Sequence, residues 1–383
     1  MKAFCLNKIS KVALDTLKKP DKVVDDVLDA DCILVRSQDM HNYELNPNIL
    51  AVARCGAGVN NIPLDKYKDE GVVVFNTPGA NANAVKELVL CGLLLASRDI
   101  IGGNSWVLNN KNDVNISKIA EKAKSAFAGN EVYGKTIGVI GLGVIGVLVA
   151  NMCVSLGMNV IGYDPYLSIS NAMKLDKNVK YVDSLEAVVG NSSFVTIHVP
   201  LMDSTKYMIN KNVFNEMKDN TILLNFARDT LVNDDDLLEA INNGKIKKYV
   251  TDFVNNKVVN FPKTICLPHL GASTEEAEDN CALMAINELK DYLENGNISN
   301  SVNYPSVSAG VKHAGARICI NHKNVLGMIA KFTAIISNEG GNIINMINKS
   351  KGDYAYTIID VDNNIAISKF KDIEEVLRIR VIL

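Results

Sequence analysis

Short apolar runs and longer helix-spaced runs alternate along most of this chain. Asp31-Cys-Ile-Leu-Val-Arg36, Ala51-Val-Ala-Arg-Cys55 and Gly71-Val-Val-Val-Phe75 are rich in apolar and β-branched residues. They predict strands. Glycine and Asn/Pro punctuation follows the last two, in Gly56-Ala-Gly-Val-Asn-Asn61 and Asn76-Thr-Pro-Gly-Ala-Asn81. Apolar residues at helical spacing then predict a helix from Ala84 to about Ser97. A second alternation begins at Gly134 with the strand Lys135-Thr-Ile-Gly-Val-Ile140, a helix from Val147 to Leu156 and the strand Asn159-Val-Ile-Gly-Tyr163. Further strands are expected at 193–198, 221–225, 248–252 and 264–268, and a helix from Thr274 to Leu293. Alternating strands and helices argue for parallel, doubly wound sheets.

The pattern changes near the C-terminus. Asn297 to Gly315 reads as a linker, with Pro305 and Gly310 among its polar residues. Beyond it come a strand at 316–321, a helix from Val325 to Glu339, the turn Gly340-Gly-Asn342 and strands at 343–349 and 354–361. A helix near Lys369 to Leu377 and a strand at 379–383 complete a β-α-β-β-α-β order, which is ferredoxin-like. The expected α/β architecture is therefore two Rossmann-like domains plus this small module. Residues 1–95 with 280–305 form one domain, 96–279 the second and 314–383 the third.

Between the strand at 135–140 and its helix lies Gly141-Leu-Gly-Val-Ile-Gly146, three glycines at dinucleotide-fold spacing. The first permits a tight turn, the second lets backbone approach a pyrophosphate, and the third allows helix to pack closely on strand. The next strand ends at Asp164, where an acid would hydrogen-bond a ribose hydroxyl and repel a 2′-phosphate. The expected cofactor is NAD, with Gly141, Gly143, Val144, Ile145, Gly146 and Asp164 as its binding residues.

Ligands of open α/β sheets sit beyond the carboxyl ends of the strands. Pro200, Arg228, Asp252 and His269 all fall there, after four separate predicted strands. A guanidinium can grip a carboxylate bidentately. A histidine can give or take the proton of an alcohol. Together with a nicotinamide they suit hydride transfer at a carbonyl beside a carboxylate. His198 reads as an ordinary hydrogen-bonding residue of an apolar strand.

Composition and charge add exclusions. The 383 residues are 48% hydrophobic and 22% charged, ordinary for a globular protein with a large core. A net charge of −3 makes no electrostatic case for nucleic acid or an anionic membrane. No apolar run approaches the roughly 18 residues of a membrane span. The eight cysteines contain no CxxC pair, so buried thiols rather than a metal site are expected. Met1-Lys-Ala-Phe-Cys-Leu6 lacks a signal-peptide core, and a cytoplasmic location is expected.

Three segments carry a family resemblance: Gly141 to Gly146, Asn225-Phe-Ala-Arg228 and Pro268-His-Leu-Gly-Ala-Ser-Thr274. With them the chain resembles the D-isomer specific 2-hydroxyacid dehydrogenases over nearly its whole length. The C-terminal module resembles an ACT regulatory domain. The resemblance implies that Arg228 binds the substrate and His269 is its acid/base. It assigns Pro200, Ala227, Asp252 and Gly271 to the cofactor, and Arg36, Ser37, Gly58, Asn60 and Asn81 to the substrate. Arg36 also reads simply as a charged strand end. His322, Asn324 and Asn342 match positions that bind serine in ACT modules, although Asn324 and Asn342 equally suit a cap and a turn. A phosphorylated 2-hydroxy acid, 3-phospho-D-glycerate, is the implied substrate, and a homodimer or homotetramer the implied assembly.

The chain departs from the family at one position. A Glu is expected as the fifth residue after Asp252, hydrogen-bonded to the histidine, but Asp252-Phe-Val-Asn-Asn-Lys257 places a lysine there. A carboxylate beside an imidazole favours its protonated form, and an ammonium opposes it. Slowed hydride transfer is therefore expected. Two other readings stay open: a hydroxypyruvate or glyoxylate reductase, and a non-catalytic protein that binds NAD and an amino acid.

Overall fold

In the computed structural model, which describes residues 1–313, 315–363 and 365–383, the chain divides into two compact units. The first comprises Met1–Asn81 and Glu275–Leu383, the second Ala82–Thr274.

The first unit holds five parallel strands, β1 (Lys2–Cys5), β2 (Lys22–Val24), β3 (Cys32–Val35), β4 (Ala51–Arg54) and β5 (Val73–Phe75), in the order β2-β1-β3-β4-β5. Successive residues of a strand point to opposite faces. Accordingly Leu34, Ala53 and Phe75 pack with Ala282, Ile286 and Leu289 of the helix Glu275–Asn295, while Ile33, Val35 and Val74 pack on Tyr67. The first two strands and the short Lys180–Tyr181 are additional to the expected set.

The second unit holds β6 (Thr136–Ile140), β7 (Asn159–Tyr163), β8 (Lys180–Tyr181), β9 (Phe194–Ile197), β10 (Thr221–Asn225), β11 (Ile246–Thr251) and β12 (Thr264–Cys266). Their order is β12-β11-β10-β9-β6-β7-β8, and every pairing is parallel. Ile222 and Leu224 of β10 face one hydrophobic layer and Leu223 the other, so the sheet is covered on both sides.

The division at 81/82 and 274/275 differs from the expected 95/96 and 279/280. The helix Ala82–Ser97 buries Val85, Val89 and Leu93 in the core of the second unit, and a Cβ on its Gly92 would lie 2.7 Å from the Phe226 ring. Apolar contact assigns the helix to that unit.

Four antiparallel strands end the chain: β13 (Ala316–Lys323), β14 (Ile343–Lys351), β15 (Tyr354–Val361) and β16 (Val376–Ile382), ordered β14-β15-β13-β16. With the helices Met328–Asn338 and Ser368–Lys371 they give the expected β-α-β-β-α-β order. Residue 314, the expected start of this module, lies outside the described residues. The last helix is shorter than expected because Val376 to Ile382 pair with β13. The helix after β13 begins at Met328, not Val325, where Gly327 at φ 83° provides the turn. The module is not a separate compact unit, since Cys319, Tyr356 and Ile358 share a core with Ile286, Leu289 and Tyr292. Arg317 reinforces the join by donating to the carbonyls of Asn295 and Gly310 at 2.7 and 2.8 Å while paired with Asp360. Among the described residues no helix is long and apolar enough to cross a membrane.

Candidate active site

The seven-stranded sheet reverses its winding between β6 and β9. Loops diverge at such a reversal and leave a crevice beyond the carboxyl ends of the strands. Each glycine of the fingerprint has a different physical reason there. Gly141 adopts φ 89°, and a Cβ on it would lie 2.7 Å from the His198 carbonyl oxygen. Gly143 would meet nothing within 4 Å, so its outer face is open. A Cβ on Gly146 would fall 1.8 Å from the Gly141 carbonyl oxygen. The helix Val144–Ser155 starts from Gly143 with no side-chain cap, so the first-turn N–H groups, including those of Val144 and Ile145, are left for an anion.

Asp164 closes one side of this turn. Its carboxylate accepts from the Leu142 N–H at 2.9 Å and the Tyr166 N–H at 2.8 Å. A carboxylate accepts about four hydrogen bonds, so capacity remains for ribose hydroxyls. Beneath the turn, burial pushes the His198 imidazole down to about 3, and its Nε2 lies 2.9 Å from the Thr196 hydroxyl. That environment disfavours its charged form and leaves it a hydrogen-bonding group at the strand end.

The chemistry-bearing side chains lie beyond β10 and β11 and after β12. Buried Asn225 receives the Ala227 N–H at 3.1 Å and donates to the Arg228 carbonyl at 2.7 Å, which shapes the turn that presents Arg228. Asp252 is 1% exposed, and its Oδ2 accepts the Gly271 N–H at 2.9 Å. Its Oδ1 is buried with no partner among the described residues, an acceptor suited to a carboxamide N–H. Burial raises the Asp252 carboxyl, opposed by the Gly271 N–H and the charge of His269. His269 is exposed, and its ring centroid lies 4.4 Å from that of Phe253. The Arg228 guanidinium carbon lies 5.6 Å from the centroid of the same ring. Phe253 thus joins the two residues selected for chemistry; a sequence search for polar groups passes over it. Pro200 is exposed at the end of the β9 loop, its carbonyl accepting from Thr205 at 2.7 Å.

Lys257 is exposed and points into an ion pair, its Nζ 2.8 and 3.0 Å from the two Asp235 carboxylate oxygens. No carboxylate lies within ion-pair distance of the His269 imidazole among the described residues.

In the first unit, the Arg36 guanidinium lies 2.6 Å from Glu278, a partner not anticipated from sequence. The Arg36 N–H donates to Asn7 at 2.9 Å, and Asn7 donates to the Ser37 hydroxyl at 3.2 Å. A second cation adjoins them, since Arg54 Nε donates to the Arg36 carbonyl at 3.1 Å. Gly58 and Asn60 lie on the loop after β4, and Asn81 has a buried Oδ1 with no partner among the described residues.

The C-terminal candidates divide. His322 belongs to β13, not to the turn after it. It is 2% exposed, with Nδ1 donating to the Lys323 carbonyl at 2.8 Å and Nε2 2.8 Å from the Thr357 hydroxyl. Strand pairing continues through it and seats its ring edge-on to Phe332. Asn324 and Asn342 are exposed.

Residues 90–271 match the model of the D-isomer specific 2-hydroxyacid dehydrogenase NAD-binding domain. The chain is 32% identical over 353 residues to D-3-phosphoglycerate dehydrogenase of Haemophilus influenzae, covering 88% of this chain and 82% of that one. It is 34% identical over 280 residues to hydroxypyruvate reductase of Thermotoga maritima, covering 70% and 86%. The fold is shared with NAD+-bound 3-phosphoglycerate dehydrogenase of Entamoeba histolytica at a TM-score of 0.62 and 23% identity, over 79% and 98% of the two chains. The chain therefore belongs to the D-isomer specific 2-hydroxyacid dehydrogenase family. It is an NAD-dependent enzyme acting on a small 2-hydroxy acid.

Proposed function

We propose that this enzyme oxidises 3-phospho-D-glycerate to 3-phosphohydroxypyruvate. Bound NAD supplies a hydride acceptor for the carbinol carbon. His269 takes the hydroxyl proton as the carbonyl forms, and returns it in the reverse direction. Arg228 holds the substrate carboxylate and orients the adjacent carbon. The open Gly143 face accommodates the pyrophosphate, Asp164 the adenosine ribose and Asp252 the carboxamide. Pro200, Ala227 and Gly271 complete the cofactor's surroundings. The observation that carries this reading is the placement of Arg228 and His269 against one ring beyond the strand ends.

The phosphate is assigned to Arg36 and Ser37, and the remaining substrate contacts to Gly58, Asn60 and Asn81, on the family pattern and the Haemophilus relative. One observation favours a different acid. Glu278 already holds the Arg36 guanidinium, and a carboxylate repels phosphate. Hydroxypyruvate or glyoxylate reduction is the reading this supports, in keeping with the Thermotoga relative's name. An NADH-linked assay with phosphohydroxypyruvate, hydroxypyruvate and glyoxylate separates the two. The expected result is the highest kcat/KM for the phosphorylated acid; preference for either unphosphorylated acid assigns the enzyme to the second reading.

We read the C-terminal module as an ACT-type effector domain and its occupant as serine or a related amino acid. Asn342 offers an exposed amide to it, whereas the Asn324 amide already donates to the Gly352 carbonyl at 3.1 Å and His322 would have to release Thr357. The same assay with serine present tests this through a change in rate.

The missing carboxylate beside His269 gives a further expectation. Lys257→Glu raises the rate of keto-acid reduction at neutral pH, because that direction consumes the proton His269 holds. The exposed Lys257–Asp235 ion pair is lost with the substitution. A pH–rate profile checks it: no gain in rate and no shift of the profile sinks the relay argument.

A further inference from the structure

We propose that Phe253 is the positioning residue of this site, orienting His269 and Arg228 in place of a carboxylate. The inference rests on the reading of His269 as acid/base and Arg228 as carboxylate clamp. Its observations are independent of that reading. The Phe253 ring packs at 4.4 Å and 48° on the imidazole, and the Arg228 guanidinium carbon stands 5.6 Å from the same centroid.

The ring is itself held. Its backbone N–H donates to Thr251 Oγ1 at 3.0 Å, at the end of β11, which is paired with both neighbouring strands. The preceding residue, buried Asp252, accepts the Gly271 N–H at 2.9 Å. That bond ties the loop carrying Phe253 to the loop carrying His269. Lys257 is drawn to Asp235, so its ammonium is engaged away from the imidazole. The charged group of that loop that acts on His269 is buried Asp252, whose Oδ2 is held by the Gly271 N–H. An aromatic face restrains an exposed ring and attracts a guanidinium by its quadrupole. It accepts no proton. Phe253 therefore supplies the orienting half of what a carboxylate would do, and Lys257→Glu addresses the other half.

The test compares Phe253→Leu, Phe253→Met and Phe253→Tyr in the full chain, with His269→Asn and Arg228→Gln alongside. Leu and Met are expected to lower kcat about 10- to 100-fold, since small misplacements of reacting groups cost about that much. The NADH dissociation constant should stay within about two-fold, because the glycine turn and Asp164 are untouched. Tyr keeps the ring and should restore kcat to within about three-fold of the parent enzyme. The proposal is overturned if both Leu and Met keep kcat within about two-fold, or if Tyr is as slow as Leu. It is also overturned if the loss of kcat is matched by loss of NADH binding. Should His269→Asn and Arg228→Gln retain full activity, the site reading itself fails. Should they lose activity while the Phe253 variants do not, only the role of Phe253 fails.

Discussion

His269→Asn is expected to lower kcat by about 10²–10⁴-fold in both directions, the usual worth of a positioned acid/base. The imidazole stands exposed beyond β12, where it can reach a substrate proton, and nothing in the core leans on it. Its structural contact is the Phe253 ring, and Asn leaves the Asp252–Gly271 bond in place. Binding of NADH should therefore persist while turnover collapses. Stopped-flow hydride transfer and an NADH fluorescence titration on the same preparation separate the two. A variant that still turns over at more than about a tenth of the parent rate would remove His269 from the acid/base role.

The second large effect is structural. Gly146→Ala puts a methyl 1.8 Å from the Gly141 carbonyl oxygen, far inside contact distance. Neither side can yield easily: Gly141 is already at φ 89° with the His198 backbone behind it, and Gly146 is buried in the helix on which the turn is built. Overpacking of this kind costs about 1–3 kcal/mol, and here the strain falls on the turn itself. The expected outcome is a lower Tm together with loss of measurable NADH binding. Gly143→Ala is the contrasting case. Its φ of −68° suits alanine, and its Cβ meets no protein atom within 4 Å. It should fold normally yet bind NADH weakly, because the methyl fills the space a pyrophosphate would approach. Thermal melts and titrations of the pair check the distinction; normal NADH binding by Gly146→Ala would overturn it.

Much of this is legible in the sequence alone, for a local reason. Strand, turn and helix around Gly141 follow from apolar runs and from backbone conformations that only glycine adopts readily. The β-α-β-β-α-β order at the C-terminus was equally visible, because each element carries its own periodicity. Boundaries were less so. The helix Ala82–Ser97 carries no mark of which sheet it covers, and the strand from Val376 owes its length to pairing with β13.

The sequence by itself determined the order of elements, the dinucleotide turn, and the set of strand-end residues from which a 2-hydroxyacid chemistry could be read. These depend on neighbours along the chain. Only the tertiary structure decided which charged groups are engaged. Arg36 pairs with Glu278 far along the chain, Lys257 turns to Asp235 on another element, and His322 is sealed in a strand against Phe332. It also placed Phe253, an apolar residue, in contact with both Arg228 and His269. Ion pairs and ring contacts form between residues remote in sequence and depend on side-chain direction, which periodicity and spacing do not specify.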